Sequence, residues 1–340
     1  MASANTFKIV CWLAVISSGF AAILDDMGKK KPIIKVTTIV EEPFMKIRDH
    51  TQRGNDKYTG FLFELIREIA SHPAVDADFE VKEVPDETYG EVGPDNRLTG
   101  MLGQLEQQEA DVAAAIFVNS SQLVRDRLTM STPYMESGIV MMVYRKPGSE
   151  EIPYKSFRDL KQRVLPGLIE SSVTEKFFQN SKDAYVKQLY RKIVRTTRPF
   201  SPLFGTADEA VAVLEEEQGN ATVFMEFNLA DYWAGQQPCN KILIDTLKHE
   251  TLVLPMQKLS PWKSKFDFVL KEMRRNGQLK KLVEKWWATK CSGNTFKTPA
   301  RFPDASATTG NATSRSNSIN TILAISSLIL ALFLLVSTSK

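Results

Sequence analysis

The stretches Ile33-Ile34-Lys35-Val36-Thr37-Thr38-Ile39-Val40 and Phe61-Leu62-Phe63-Glu64-Leu65-Ile66-Arg67-Glu68-Ile69-Ala70 decide the fold class. The first is rich in β-branched residues, which suit a pleated, half-buried surface, and reads as a strand. The second places Phe61, Leu62, Leu65, Ile66 and Ile69 on one helical face. Outward from these two the alternation continues, with strands over 79–84, 111–117 and 138–144 and a helix over 100–108. A polar, turn-rich link, Pro147-Gly148-Ser149-Glu150-Glu151-Ile152-Pro153, follows. The pattern then restarts: helices near 156–162, 174–180 and 206–217, the last opening with a Thr206-x-x-Glu209 capping box. A strand over 221–225, a helix over 227–234, strands over 242–247 and 251–254, and helices near 263–276 and 277–290 complete it. This alternation predicts an α/β protein with mainly parallel sheets.

Both ends of the 340-residue chain differ from this middle. The apolar run from Ile9 to Ala21 follows Lys8, is too short to span a bilayer and ends in small residues, so residues 1–21 read as a signal peptide. A second run, Ile322 to Val336, covers roughly 22 Å as a helix against a hydrocarbon core of roughly 30 Å. Small residues Gly310-Asn311-Ala312 and a polar spacer precede it, the order of a GPI-attachment signal with Gly310 as the attachment residue. A short single-pass helix is the alternative reading. Residues 292–310, rich in Ser, Thr, Asn and Pro, form a stalk, and 311–340 the attachment signal. The product is thus expected at the extracellular face of the plasma membrane, held in the outer leaflet by a lipid anchor.

About 290 residues lie between the two ends, more than one core usually organises. A net charge of +3 and a single basic run, Lys29-Lys30-Lys31, without interleaved aromatics, speak against a nucleic-acid partner. Of three cysteines, Cys11 leaves with the signal peptide; Cys239 and Cys291 remain and are predicted to pair in an oxidising compartment. His50, His72 and His249 lack ligand spacing, which argues against a zinc site, and no cofactor is expected. Asn-x-Ser/Thr sequons stand at Asn119, Asn220 and Asn311, the last discarded with the tail if Gly310 is the attachment residue. No nucleophile–base pair, metal cluster or phosphate loop points to an enzyme.

Taken in order, several motifs resemble the ligand-binding domain of ionotropic glutamate receptors, a two-lobed relative of periplasmic solute-binding proteins. They include Thr37-Thr38-Ile39 with Glu42-Pro43-Phe44, Tyr58-Thr59-Gly60-Phe61, Tyr89-Gly90, Gly100-Met101-Leu102-Gly103-Gln104-Leu105, Ala110-Asp111-Val112-Ala113, Leu123-Val124-Arg125 and Ser131-Thr132-Pro133-Tyr134-Met135. In the second half they are Thr174-Glu175-Lys176-Phe177-Phe178, Phe224-Met225-Glu226, Pro238-Cys239, Gly277-Gln278-Leu279 and Lys285-Trp286-Trp287. The resemblance implies a periplasmic-binding-protein-like clamshell, with lobe 1 built from 33–132 plus 246–291 and lobe 2 from 133–245. Where the receptors insert pore-forming segments, only the link from Pro147 to Pro153 stands, so the resemblance covers the binding domain and not the channel.

It also implies a site. Arg125, with Arg127 as the fallback, would grip an α-carboxylate through two parallel hydrogen bonds. Glu226 would meet the ammonium, Thr174 would receive a distal acidic group at a helix N-terminus, and Tyr89 would cover the ligand. Val173 replaces a serine common in the receptors, and Glu250 brings an extra carboxylate near the distal end, which leaves a neutral or basic amino acid open. A ligand touching both lobes would favour their closed form, read by a receptor or channel subunit as partner. The other reading is a surface interaction or adhesion module that keeps the fold and binds no small molecule, with a glycan at Asn119 blocking the cleft.

Overall fold

A computed structural model describes residues 30–118, 122–149, 151, 153–197, 200–288, 290–291 and 295–296. The expectations for 1–21, for Asn119 and for everything beyond 296, Gly310 included, lie outside the described residues. The chain divides into two compact units. Of the described residues, the first holds 30–116, 122–132 and Leu254–Trp286; the second holds 117–118, Pro133–Val253 and those from Trp287 to Phe296.

In the first unit a five-stranded sheet runs in the order Asp78–Glu83, Ile33–Thr38, Val112–Ala114, Pro255–Met256, Thr129–Met130. The first three strands are parallel, and Pro255–Met256 runs antiparallel to both its neighbours. Helix Phe61–Ser71 buries the five apolar residues that its sequence pattern places together. It stops where His72 turns to an extended conformation ahead of Pro73, as a residue preceding proline must. Gly60 has φ 129°, and a Cβ there would lie 2.5 Å from the Phe44 carbonyl oxygen, so only glycine lets the chain enter this helix. Buried Glu64 accepts from Lys285 Nζ at 2.6 Å and 2.8 Å and from Trp286 Nε1 at 3.2 Å, tying the helix to Gln278–Trp286. That gives the Lys285-Trp286 motif a packing role.

In the second unit the sheet order is Leu203–Phe204, Leu165–Ile169, Ala221–Glu226, Met135–Tyr144, Lys241–Val253, Thr295–Phe296, with Phe117–Val118 also paired to Lys241–Val253. Ala221–Glu226 is parallel to Leu165–Ile169 and antiparallel to Met135–Tyr144, so both sheets are mixed rather than mainly parallel. Ile139, Met141, Leu168, Phe178, Phe224 and Ile244 form the heart of this core.

Four further differences separate the structure from the sequence expectation. The two strands expected over 242–254 are one strand, Lys241–Val253, with register shifts around Asp245 and Thr246. Asp245 adopts φ 56°, and its carboxylate accepts from Ser156 Oγ at 2.7 Å. Residues 156–162 hold only a 3-10 turn, Phe157–Asp159. A helix the sequence reading passed over, Ala184–Arg195, is capped by Asp183 and buries Val186, Leu189 and Ile193. The unit boundary falls after Val253, so 246–253 continue the second unit's long strand. Cys239 and Cys291 form a disulfide with Cα atoms 5.4 Å apart.

Candidate functional site

Strand Ala221–Glu226 is buried along its whole length, and helix Phe227–Ala234 begins at once after it. Glu226 is therefore carried to the end of a central strand as a carboxylate only 5% exposed. Facing it is the first turn of helix Val173–Asn180, whose cap is Ser172: the Ser172 hydroxyl accepts from Glu175 N at 3.0 Å. Glu175 in turn accepts from Ser171 N at 2.7 Å. Thr174, a ligand contact by the resemblance, is the second residue of this helix and is fully buried. Its amide and its hydroxyl both donate to the same oxygen of Glu226, each at 3.0 Å.

This arrangement satisfies a helix-terminal amide that has no intrahelical acceptor and sets a negative charge against the positive end of the helix. Burial still dominates: desolvation raises the Glu226 carboxyl above the ordinary range, opposed by hydrogen bonds from its own amide and from Thr174. Among the described residues no lysine, arginine or histidine forms an ion pair with Glu226. A buried carboxylate with donors but no cation is chemically a receptor for an ammonium group.

The other site residues lie in the first unit. Tyr89, half-buried, donates its hydroxyl hydrogen bond to Glu41. Arg125 is half-buried on helix Gln122–Arg127, and its carbonyl accepts from Lys258 Nζ at 3.1 Å. The Arg127 guanidinium bonds the carbonyl and, at 2.8 Å, the side chain of Asn96, and reaches Glu106 at 3.4 Å. Its fork is thus engaged within the first unit. In the second unit, Glu250 pairs with Lys248, so its charge is met within its own strand. Asn220 is exposed ahead of strand Ala221–Glu226. Among the described residues no three acidic, histidine or cysteine side chains gather to hold a metal ion, and no helix is long and apolar enough to cross a membrane.

Residues 32–147 match the family model of the ligated ion channel L-glutamate- and glycine-binding site. The chain resembles the ligand-binding domain of ionotropic glutamate receptors. The probable glutamate receptor of Gallus gallus is 30% identical over 127 residues, 37% of this chain and 24% of that protein. The Anas platyrhynchos counterpart is 21% identical over an alignment of 373 positions, 76% of this chain and 74% of that protein. Glutamate receptor 3 of Rattus norvegicus is 34% identical over 139 residues, 40% of this chain and 15% of the receptor. A Drosophila muscle GluRIIB complex with glutamate matches in fold with a TM-score of 0.66 at 21% identity, covering 76% of this chain and 99% of that one. The fold is thus that of a glutamate-receptor ligand-binding domain. The chain spans a quarter or less of the chicken and rat relatives' lengths.

Proposed function

We propose that this glutamate-receptor-like domain binds an amino acid or similar small zwitterion, with Glu226 taking the ammonium, Arg125 the α-carboxylate and Tyr89 covering the ligand. The observation that carries the reading is the buried Glu226 carboxylate, hydrogen-bonded by Thr174 yet without a cationic partner among the described residues. A ligand ammonium would stabilise that charge, and the guanidinium supplies the complementary planar grip.

The side chain of the ligand is non-acidic in this reading. Thr174, the residue the resemblance assigns to a distal carboxylate, already gives both donors to Glu226. A second carboxylate there would compete for engaged donors beside a like charge. Lys248 beside Glu250 offsets part of that residue's charge, so the specificity rests on Thr174. Calorimetry and thermal shift against glycine, alanine, serine and glutamate test this. A neutral ligand at about a hundred times its dissociation constant would add about 2.7 kcal/mol of stability. Tighter binding of glutamate than of every neutral acid contradicts the specificity.

The same reading makes the chain a binder rather than an enzyme, and a tethered one. A lipid anchor added at Gly310 would hold it on the outer leaflet, and a receptor or channel subunit would read the ligand-bound state, since the short link at 147–153 offers no pore. Release of the protein from intact cells by a phosphatidylinositol-specific phospholipase C tests the anchor; retention after treatment contradicts it.

A further inference from the structure

The helix that the sequence reading passed over, Ala184–Arg195, forms one wall of a groove of about 490 Å³ in the second unit. The loop from Leu160 to Val164 forms the other. Cations project from both walls: Lys161 from the loop, Arg191 and Arg195 from the helix, all three exposed. Gln188, Arg191 and Arg195 recur at three- and four-residue steps, so they line one helix face, one turn or about 5.4 Å apart. Among the described residues no acidic side chain pairs with Lys161, Arg191 or Arg195. Helix Ala184–Arg195 has no acid of its own; Asp183 caps it and pairs with Arg158, and Asp159, just ahead of the loop and near Tyr185, accepts from the amides of Lys155 and Ser156.

The groove is held open by its own framework. Lys192 turns inward and donates to Gln162 O and, at 2.7 Å, to Val164 O, fastening helix to loop. Leu189 packs beneath, as part of the core cluster. Tyr185 and Gln188 add an aromatic ring and an amide to a wall otherwise dominated by guanidinium and ammonium groups. Like charges collected at fixed spacing on a rigid frame, without acidic partners of their own among the described residues, repel one another and are stabilised by a polyanion.

From this geometry we infer that the groove between Ala184–Arg195 and the loop at Leu160–Val164 binds a sulfated polysaccharide of the heparin class. Its cations stand on two facing walls, which a thin, flexible polyanion can enter, whereas a flat bilayer would touch only the rim. Tyr185 and Gln188 offer partners for sugar rings and hydroxyls, groups that an acidic peptide lacks. The Cys239–Cys291 disulfide fits an oxidising compartment outside the cytosol, where such polymers occur. None of these residues belongs to the proposed amino-acid site, so the two readings stand or fall separately.

The test measures binding of the full chain to a size-defined heparin oligosaccharide across a salt series. Native protein should bind with affinity falling linearly in log–log form, and Lys161→Gln/Arg191→Gln/Arg195→Gln should bind at least about tenfold more weakly. The control Lys271→Gln/Lys280→Gln/Lys281→Gln, which removes as much charge from exposed helix surface elsewhere, should stay within about twofold of native. Melting temperatures of both variants establish that they are folded, and Arg191→Gln alone should weaken binding should the triple variant fail to fold. Equal binding by the groove variant and native protein, equal binding of desulfated heparin, or tighter groove-dependent binding of phosphatidylserine vesicles or polyglutamate overturns the proposal.

Discussion

Thr174 directs an amide and a hydroxyl at one oxygen of Glu226, and that pairing governs how the site responds to mutation and to pH. Because burial raises the folded-state pKa of Glu226, its contribution to stability is complete below the unfolded value and is lost as pH rises through the folded one. Glu226→Gln should therefore gain stability relative to native protein as pH rises across that window, in paired thermal melts, while abolishing any stabilisation by amino acids. Zwitterion affinity of the native protein should rise over the same window, since the ligand ammonium requires the ionised carboxylate. Thr174→Val, which removes one donor to a buried carboxyl, should cost about 1 to 3 kcal/mol by denaturant unfolding. At this scale the resemblance named Thr174 and Glu226, and the structure joins them directly. Thr174 itself lies inside the helix that Ser172 caps. The spacing Ser172-x-x-Glu175 is the sequence signal for that cap, two residues ahead of Thr174.

At the scale of elements, patterns with a strong period were legible and those depending on a neighbour were not. Helix Phe61–Ser71 was readable because five apolar side chains share a face and His72-Pro73 ends it. Helix Ala184–Arg195 carries comparable signals in Asp183 and in Val186, Leu189 and Ile193, but between them stand the polar and basic residues of its exposed face, which dilute the apolar period. The division of Lys241–Val253 into two strands followed the polar stretch at Asp245 to Glu250. The structure keeps these residues in one strand because Met135–Tyr144 supplies a partner across the irregularity. Gly138 lies opposite it, where a Cβ would come within 2.3 Å of the Lys248 carbonyl oxygen. Gly138→Ala should push the two strands apart and cost more than 1 kcal/mol of unfolding free energy, whereas Gly148→Ala, whose Cβ would meet open space, should cost less despite its φ of 77°. Asp183→Ala removes two accepted amide hydrogen bonds and should cost about 0.5 to 2 kcal/mol.

For the molecule as a whole, the α/β class and the presence of two units were legible in the alternation of strand and helix runs and in the length of chain between its apolar ends. Sheet polarity was not, because Met135–Tyr144 and Pro255–Met256 run against their neighbours through long-range pairings that no local pattern encodes. The disulfide was legible in the two cysteines that stand beyond the apolar N-terminal run, and it closes a loop of 52 residues. Replacing Cys239 and Cys291 by serine should lower stability by on the order of 4 kcal/mol in the chain-entropy picture, measured by denaturant unfolding under oxidising conditions. Asn220 is exposed and open to modification; glycosidase treatment should shift the mobility of native protein by one glycan more than that of Asn220→Gln.

The account turns on a buried carboxylate awaiting a positive ligand group, and thermal melting of native protein beside Glu226→Gln, each with a neutral amino acid and with its N-acetyl derivative, reads that directly. The free amino acid should stabilise native protein, its acetylated form should not, and the variant should respond to neither. Equal stabilisation of both proteins, or no response of native protein to any amino acid at saturating concentration, would contradict it.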